Sequence, residues 1–106
     1  MVGALLDSIS TGVSTSDWAA VSAAANDLAA LADSETAWLQ SHPPALCYEP
    51  EHGDALAAYA GLRASADAIA TAAAVPSEGA INHQLAVAKQ DRKALDNAAS
   101  GATVGC

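Results

Sequence analysis

The sequence predicts an all-α fold: an antiparallel up-down helical bundle of three long helices and a short N-terminal helix, in one domain over residues 1–106. Three observations predict this fold. The chain contains 29 alanines, and alanine is the strongest helix former. Valine, isoleucine and leucine recur at spacings of three and four, as on one face of a helix. Prolines and glycines fall between these periodic segments, where helices end.

Local start and stop signals divide the chain into helices. The segment 14–17 places an acid three positions after a serine, which is a helix-start signature. The two prolines at 43–44 end the helix that begins there. The third helix is predicted to begin at Gly53-Asp54, with Asp54 as its cap or first-turn anion, and to end before Pro76. The predicted helices span residues 2–11, 14–41, 53–74 and 77–100.

Alanine-rich inner faces should bring the helix axes close together. Close packing of these alanine-rich faces is expected to leave little interior volume for a cofactor. Trp18 and Trp38 fall on opposite borders of the apolar stripe of the second helix. Each is therefore expected to seal one edge of the core, with its indole N–H toward water.

Charged residues within the apolar stripes predict a structural ion pair. Glu35 lies on the second helix and Arg92 on the fourth, about 9 and 12 Å below the same end of the bundle. We expect them to form a partly buried ion pair that fixes the helix register. Arg63 and Asp67 are spaced for a weak pair along one helix, and His83 faces solvent.

The two cysteines are Cys47 and Cys106, and alone they are compatible with a disulfide, two inert thiols or part of a metal site. The up-down topology brings the C-terminus back to the proline-rich turn that contains Cys47, which favours a Cys47–Cys106 disulfide. A disulfide places the domain in an extracytoplasmic compartment, secreted or surface-anchored. Because Met1-Val2-Gly3 lacks a cationic leader, we expect any export signal to have been removed.

The charge balance excludes two classes of partner. Twelve acids stand against four lysines and arginines, for a net charge of -8. Binding a phosphate backbone or an anionic lipid surface needs a basic face, which this chain lacks. No apolar run is long enough to span a bilayer, so we expect no membrane insertion by this segment.

The segment 42–52 carries the densest chemistry in the chain. His42, Tyr48 and His52 are the candidate ligand-binding residues there, alongside a thiol and two carboxylates. The spacing matches no metal motif, and a cysteine in a disulfide cannot be a ligand, so no metal site and no cofactor are predicted. No serine or cysteine has a nearby base, and no phosphate-binding glycine loop occurs, so we predict no catalytic residues.

The hexapeptide Trp38-Leu39-Gln40-Ser41-His42-Pro43 resembles the Tyr-Leu-x-x-His-Pro stretch of the secreted mycobacterial haemophores, small helical proteins with one disulfide. The resemblance covers six residues, has Trp38 where that family has a haem-contacting tyrosine, and implies a haem contact for His42. The proline-rich turn and alanine-rich helices are also similar to extracytoplasmic lipoprotein domains of actinobacteria.

Together these features favour a non-enzymatic module that works through contacts with a protein partner, with an acidic exterior and a loop-rich end. The alternative is a carrier of a small ligand or haem that uses His42, Tyr48 and His52. The sequence identifies neither the partner nor the oligomeric state.

Overall fold

The computed structural model describes residues 1–102 and confirms the all-helical fold. The elements are α1 (Val2–Ser14), α2 (Trp18–Ser41), a short 3-10 turn (Leu46–Tyr48), α3 (Glu49–Ala73) and α4 (Glu78–Ala102). α3 packs against both α2 and α4, while α1 packs against α2 and, less extensively, α4. Across residues 1–102, no helix combines the length and apolar character that crossing a bilayer requires.

The predicted start of α2 at residue 14 was wrong by four residues, because Ser14 still belongs to α1 and α2 begins at Trp18. Asp17 is the N-cap, and its carboxylate accepts a hydrogen bond from the backbone N–H of Ala20 at 3.1 Å. This bond satisfies one of the four N–H groups that a helix start leaves without an intrahelical partner. α1 continues to Ser14, three residues beyond the prediction, because Gly12 is packed inside the helix instead of ending it.

The predicted start of α3 was wrong by four residues. The helix begins at Glu49, so Asp54 lies within it and does not cap it, and His52 belongs to the helix instead of a loop. Pro50 lies in the first turn, where a backbone N–H has no intrahelical partner and a proline is therefore well tolerated. Glu49 and Glu51 in the same turn favour this start, because a helix N-terminus attracts negative charge.

The core combines a few large side chains with many buried alanines. The largest fully buried side chains are Leu6, Ile9, Val21, Leu28, Leu62, Ile69 and Ile81. Trp18 is half-buried against this core, as predicted. Trp38 is 55% exposed, so the expectation that it seals the opposite edge was wrong.

Different segments of the chain lie at the two ends of the bundle. We call the upper end the one that contains the end of α2, the 3-10 turn and the start of α3. The end of α4 returns there: a Cβ placed on Gly101 would lie 3.0 Å from Cγ of Glu51. The chain therefore runs up, down and up through α2, α3 and α4, as predicted. Cys106 lies outside the described residues, so the disulfide to Cys47 stays a prediction.

Candidate functional site

A cavity of about 740 Å³ opens at the upper end of the bundle. We call it the upper cavity. Its volume lies within the roughly 300–1,000 Å³ typical of small-molecule sites. Most of its exposed wall is apolar, and three aromatic rings contribute to it. Residues from all four helices line it; the apolar and aromatic ones include Val2, Leu31, Trp38, Leu39, Tyr48, Ala55, Tyr59 and Leu95.

The cavity lies beyond the N-terminal end of α1, where three of the four helices remain. α1 has 13 residues, whereas α2, α3 and α4 have 24 or 25. At 1.5 Å per residue it covers about 20 Å of long helices that extend for about 36 Å. Four helices therefore pack in the lower part, and three remain above the first residues of α1. The expectation of little interior volume was wrong at this end, because the alanine-rich helix faces pack closely only in the lower part of the bundle.

The structure brings the three candidate ligand-binding residues to one wall. His42 follows the last residue of α2, Tyr48 ends the 3-10 turn and His52 lies in the first turn of α3, and all three line the upper cavity. Tyr48 and His52 are partly buried, and His42 is exposed. These residues come together because the turn between α2 and α3 folds back over the end of α2.

Hydrogen bonds to the end of α2 fix the proton positions of both imidazoles. Nδ1 of His42 lies 2.7 Å from the carbonyl oxygen of Trp38, and Nε2 of His52 lies 2.8 Å from that of Leu39. A carbonyl oxygen only accepts, so each of these nitrogens must carry the proton and donate. In the neutral rings, Nε2 of His42 and Nδ1 of His52 are therefore acceptors. The indole of Trp38 stacks on the ring of His42, with centroids 4.1 Å apart.

Glu35 and Arg92 both line the upper cavity, but within residues 1–102 they form no ion pair with each other. Glu35 is partly buried, whereas Arg92 is exposed. The guanidinium of Arg92 lies over Gly3 of α1, where an added Cβ would be 2.6 Å from Cζ. Arg92 therefore lies against the backbone of α1 and not against Glu35. The position of Arg92 in the apolar stripe of α4 indicated that it faces the bundle. It did not indicate that the guanidinium packs against Gly3.

The ion pairs within the described residues belong instead to Arg63. It contacts Asp67 on α3 at 3.1 Å, as predicted, and Asp33 on α2, which the sequence did not indicate. These side chains are 42–63% exposed, so the pairs contribute little to stability. His83 is exposed on α4, as predicted.

Tyr59 of α3 lies in the apolar wall of the upper cavity. Burial raises the pKa of its phenol above the ordinary value of 10.0, and the nearby charge of Glu35 raises that pKa further. The phenol is therefore neutral at physiological pH. It contributes an aromatic face and a hydroxyl close to the Glu35 carboxylate.

A second, smaller cavity of about 400 Å³ lies between α3 and α4 and is lined by Glu51, Asp54 and Asp91. Burial raises the pKa of the Asp91 carboxyl above its ordinary value of 3.8. Its carboxylate lies against the backbone of α3 at Gly61. Within the described part of the chain, no group of three or more histidine, cysteine, aspartate or glutamate side chains is arranged to hold a metal ion.

Comparison with protein-family models, curated proteins and solved structures finds no match to this chain.

Proposed function

We propose that this chain is a non-enzymatic binding domain that holds a small, largely apolar ligand in the upper cavity. The observation that carries the proposal is the cavity itself, which has the volume of a ligand site, an apolar wall and a few polar groups. Sites for small molecules combine these features, because apolar area supplies affinity and sparse polar groups supply orientation.

Binding of a neutral fluorescent probe, N-phenyl-1-naphthylamine, tests this proposal. We expect its emission to increase as it enters the cavity. Ala55→Phe, which fills the cavity from α3, should weaken binding at least roughly tenfold. Ala60→Phe is the matched control, since Ala60 is exposed on the same helix and does not line the cavity. An absence of binding, or equal effects of the two variants, would contradict the proposal.

Haem is the ligand that the resemblance around His42 implies. The imidazole fits this role, because its Nδ1–H is held by the Trp38 carbonyl while Nε2 can donate its lone pair to iron. The charge of the wall fits less well, because Arg92 is its one arginine or lysine and haem carries two propionates. A Soret shift on adding haemin that disappears in His42→Ala but persists in His83→Ala would identify haem as the ligand.

The second candidate function is contact with a protein partner. Trp38 is 55% and Leu46 82% exposed, and both lie at the upper end. Large apolar side chains exposed at one end of a molecule favour association there. Sedimentation at increasing concentration tests a second copy as the partner: Leu46→Ser should reduce association, and Val75→Ser at the opposite end should not. A sedimentation coefficient that is independent of concentration would exclude that partner.

We also propose an extracytoplasmic location, which depends on the Cys47–Cys106 disulfide. The proximity of Gly101 to Glu51 supports it, because the end of α4 lies at the end of the bundle that holds Cys47. The disulfide predicts a gain of about two mass units on reduction, for two added hydrogens. Alkylation of both thiols in air-exposed, unreduced protein would refute the disulfide and the inferred compartment.

A further inference from the structure

We infer that the upper cavity prefers an organic cation: an apolar or aromatic body that carries an ammonium group. This inference rests on the proposed function and names the class of ligand. It is drawn from the charges in the cavity wall, from the hydrogen-bonding state of those groups and from the aromatic rings beside them.

The charges in the wall favour a cation. Glu35, Glu51 and Asp96 line the cavity against the guanidinium of Arg92 and the N-terminal ammonium of Met1, which leaves a formal charge of -1 with the imidazoles neutral. The whole chain carries -8, so its field also attracts cations toward this opening. An anionic ligand would meet repulsion from both sources.

The carboxylates of the cavity are not neutralised by ion pairs within the described residues. Within residues 1–102, neither Glu35, Glu51 nor Asp96 forms an ion pair, whereas Arg63 pairs with acids outside the cavity. Oε2 of Glu51 is buried and accepts no hydrogen bond from any described residue. Because this oxygen has no accessible surface, Glu51 acts on a ligand through its charge and not through a hydrogen bond to Oε2.

The imidazoles add acceptors to the same wall. Because the proton of each ring is held by a carbonyl of α2, the nitrogens that remain, Nε2 of His42 and Nδ1 of His52, accept hydrogen bonds. An ammonium group has three N–H donors and no acceptor. The wall therefore offers it carboxylate oxygens and imidazole nitrogens together.

Aromatic rings complete the match. Trp38, Tyr48 and Tyr59 line the cavity, and the faces of such rings attract cations. Each ring also binds the apolar body of a ligand through dispersion. Rings beside carboxylates favour an amine with an apolar body over an inorganic cation, which would need a shell of oxygen ligands.

Three indoles with the same skeleton and different charge test the inference: tryptamine as cation, tryptophol as neutral alcohol and indole-3-acetate as anion. Each is titrated against the 15N-labelled chain at pH 8 and followed by amide chemical shifts. We expect tryptamine to bind roughly fivefold or more tightly than tryptophol, and indole-3-acetate to bind weakest. Added salt should weaken the binding of tryptamine and leave the binding of tryptophol unchanged.

Charge-neutralising variants locate the preference. Glu35→Gln and Glu51→Gln should each reduce the ratio of tryptamine to tryptophol affinity. Asp27→Asn is the matched control: it removes one charge from α2 about 12 Å below Glu35, and Asp27 does not line the cavity. Far-UV circular dichroism confirms that each variant is folded.

The outcomes separate the two proposals. Equal affinity for tryptamine and tryptophol, tighter binding of indole-3-acetate, or an effect of Asp27→Asn equal to that of Glu35→Gln would overturn the cation preference and leave the cavity as a site. If neither the indoles nor the neutral naphthylamine probe binds, the proposed function itself fails.

Discussion

Replacing Gly12 by alanine adds a methyl group where α1 crosses α2. A Cβ at this position would lie 2.7 Å from Cγ2 of Val21 and 3.3 Å from both the Val21 nitrogen and the Asp17 carbonyl oxygen. Val21 is fully buried in the core, and the other two atoms belong to the backbone, so the contact is relieved only by moving α1 away from α2. Gly12 is thus a position where the absence of a Cβ permits close helix packing.

The expected magnitude combines two opposing effects. Overpacking a buried site costs about 1–3 kcal/mol. Alanine is better than glycine within a helix by about 0.5–1 kcal/mol. We therefore expect Gly12→Ala to lower the free energy of unfolding by about 1 kcal/mol and at most by about 2.5 kcal/mol, with the melting temperature falling by about 4–8 °C per kcal/mol for a domain of this size.

Gly53→Ala is the matched control for this substitution. A Cβ on Gly53 of α3 would meet no atom within 4 Å, so only the helix preference changes, and stability should increase by about 0.5–1 kcal/mol. Urea denaturation followed by circular dichroism measures both variants. If Gly12→Ala is as stable as Gly53→Ala, the close approach of α1 and α2 is wrong.

Three further substitutions test the titratable groups and the core. Burial raises the pKa of Asp91, so the folded state is favoured while this carboxyl is protonated and loses that contribution as pH rises through the raised pKa. Asp91→Asn should therefore increase the free energy of unfolding at pH 7 by less than about 1 kcal/mol. Thermal melts of both proteins should show that this gain vanishes near pH 3, where the carboxyl is protonated. The raised pKa of Tyr59 has the same sign, so its contribution to stability is present below pH 10 and lost above it. Glu35→Gln should lower the Tyr59 pKa in an ultraviolet titration of tyrosinate in a Tyr48→Phe background, and an unchanged pKa would place Glu35 away from the phenol. Ile69→Ala should cost about 2–5 kcal/mol in urea denaturation, and a cost below 1 kcal/mol would contradict its full burial.

The sequence predicts best those features that are set by a few neighbouring residues. α2 ends at Ser41, just before the two prolines, and α4 begins directly after Ser77, as expected from local signals. The predicted start of α3 was wrong because two local signals compete there. Gly53-Asp54 is a plausible helix start, but Pro50, flanked by glutamates, is compatible with an earlier one, and the earlier start adds a helical turn.

Features that depend on which helix faces which were harder to predict. Periodicity placed Glu35 and Arg92 on inward stripes at similar depths, and both do line one cavity. They form no ion pair, and the Arg92 guanidinium lies against Gly3 of α1. That contact joins residues 89 positions apart in the chain. No local pattern encodes it.

The residues that stabilise the fold and the residues that line the upper cavity lie in different parts of the bundle. None of the seven largest fully buried side chains lines the upper cavity, because they lie where α1 completes the four-helix packing. The cavity wall is built from the turns of α2, α3 and α4 that extend beyond α1, together with the first residues of α1 itself. Substitutions in this wall, such as Glu35→Gln, should therefore change ligand preference with little effect on folding, whereas truncations such as Ile69→Ala should do the reverse.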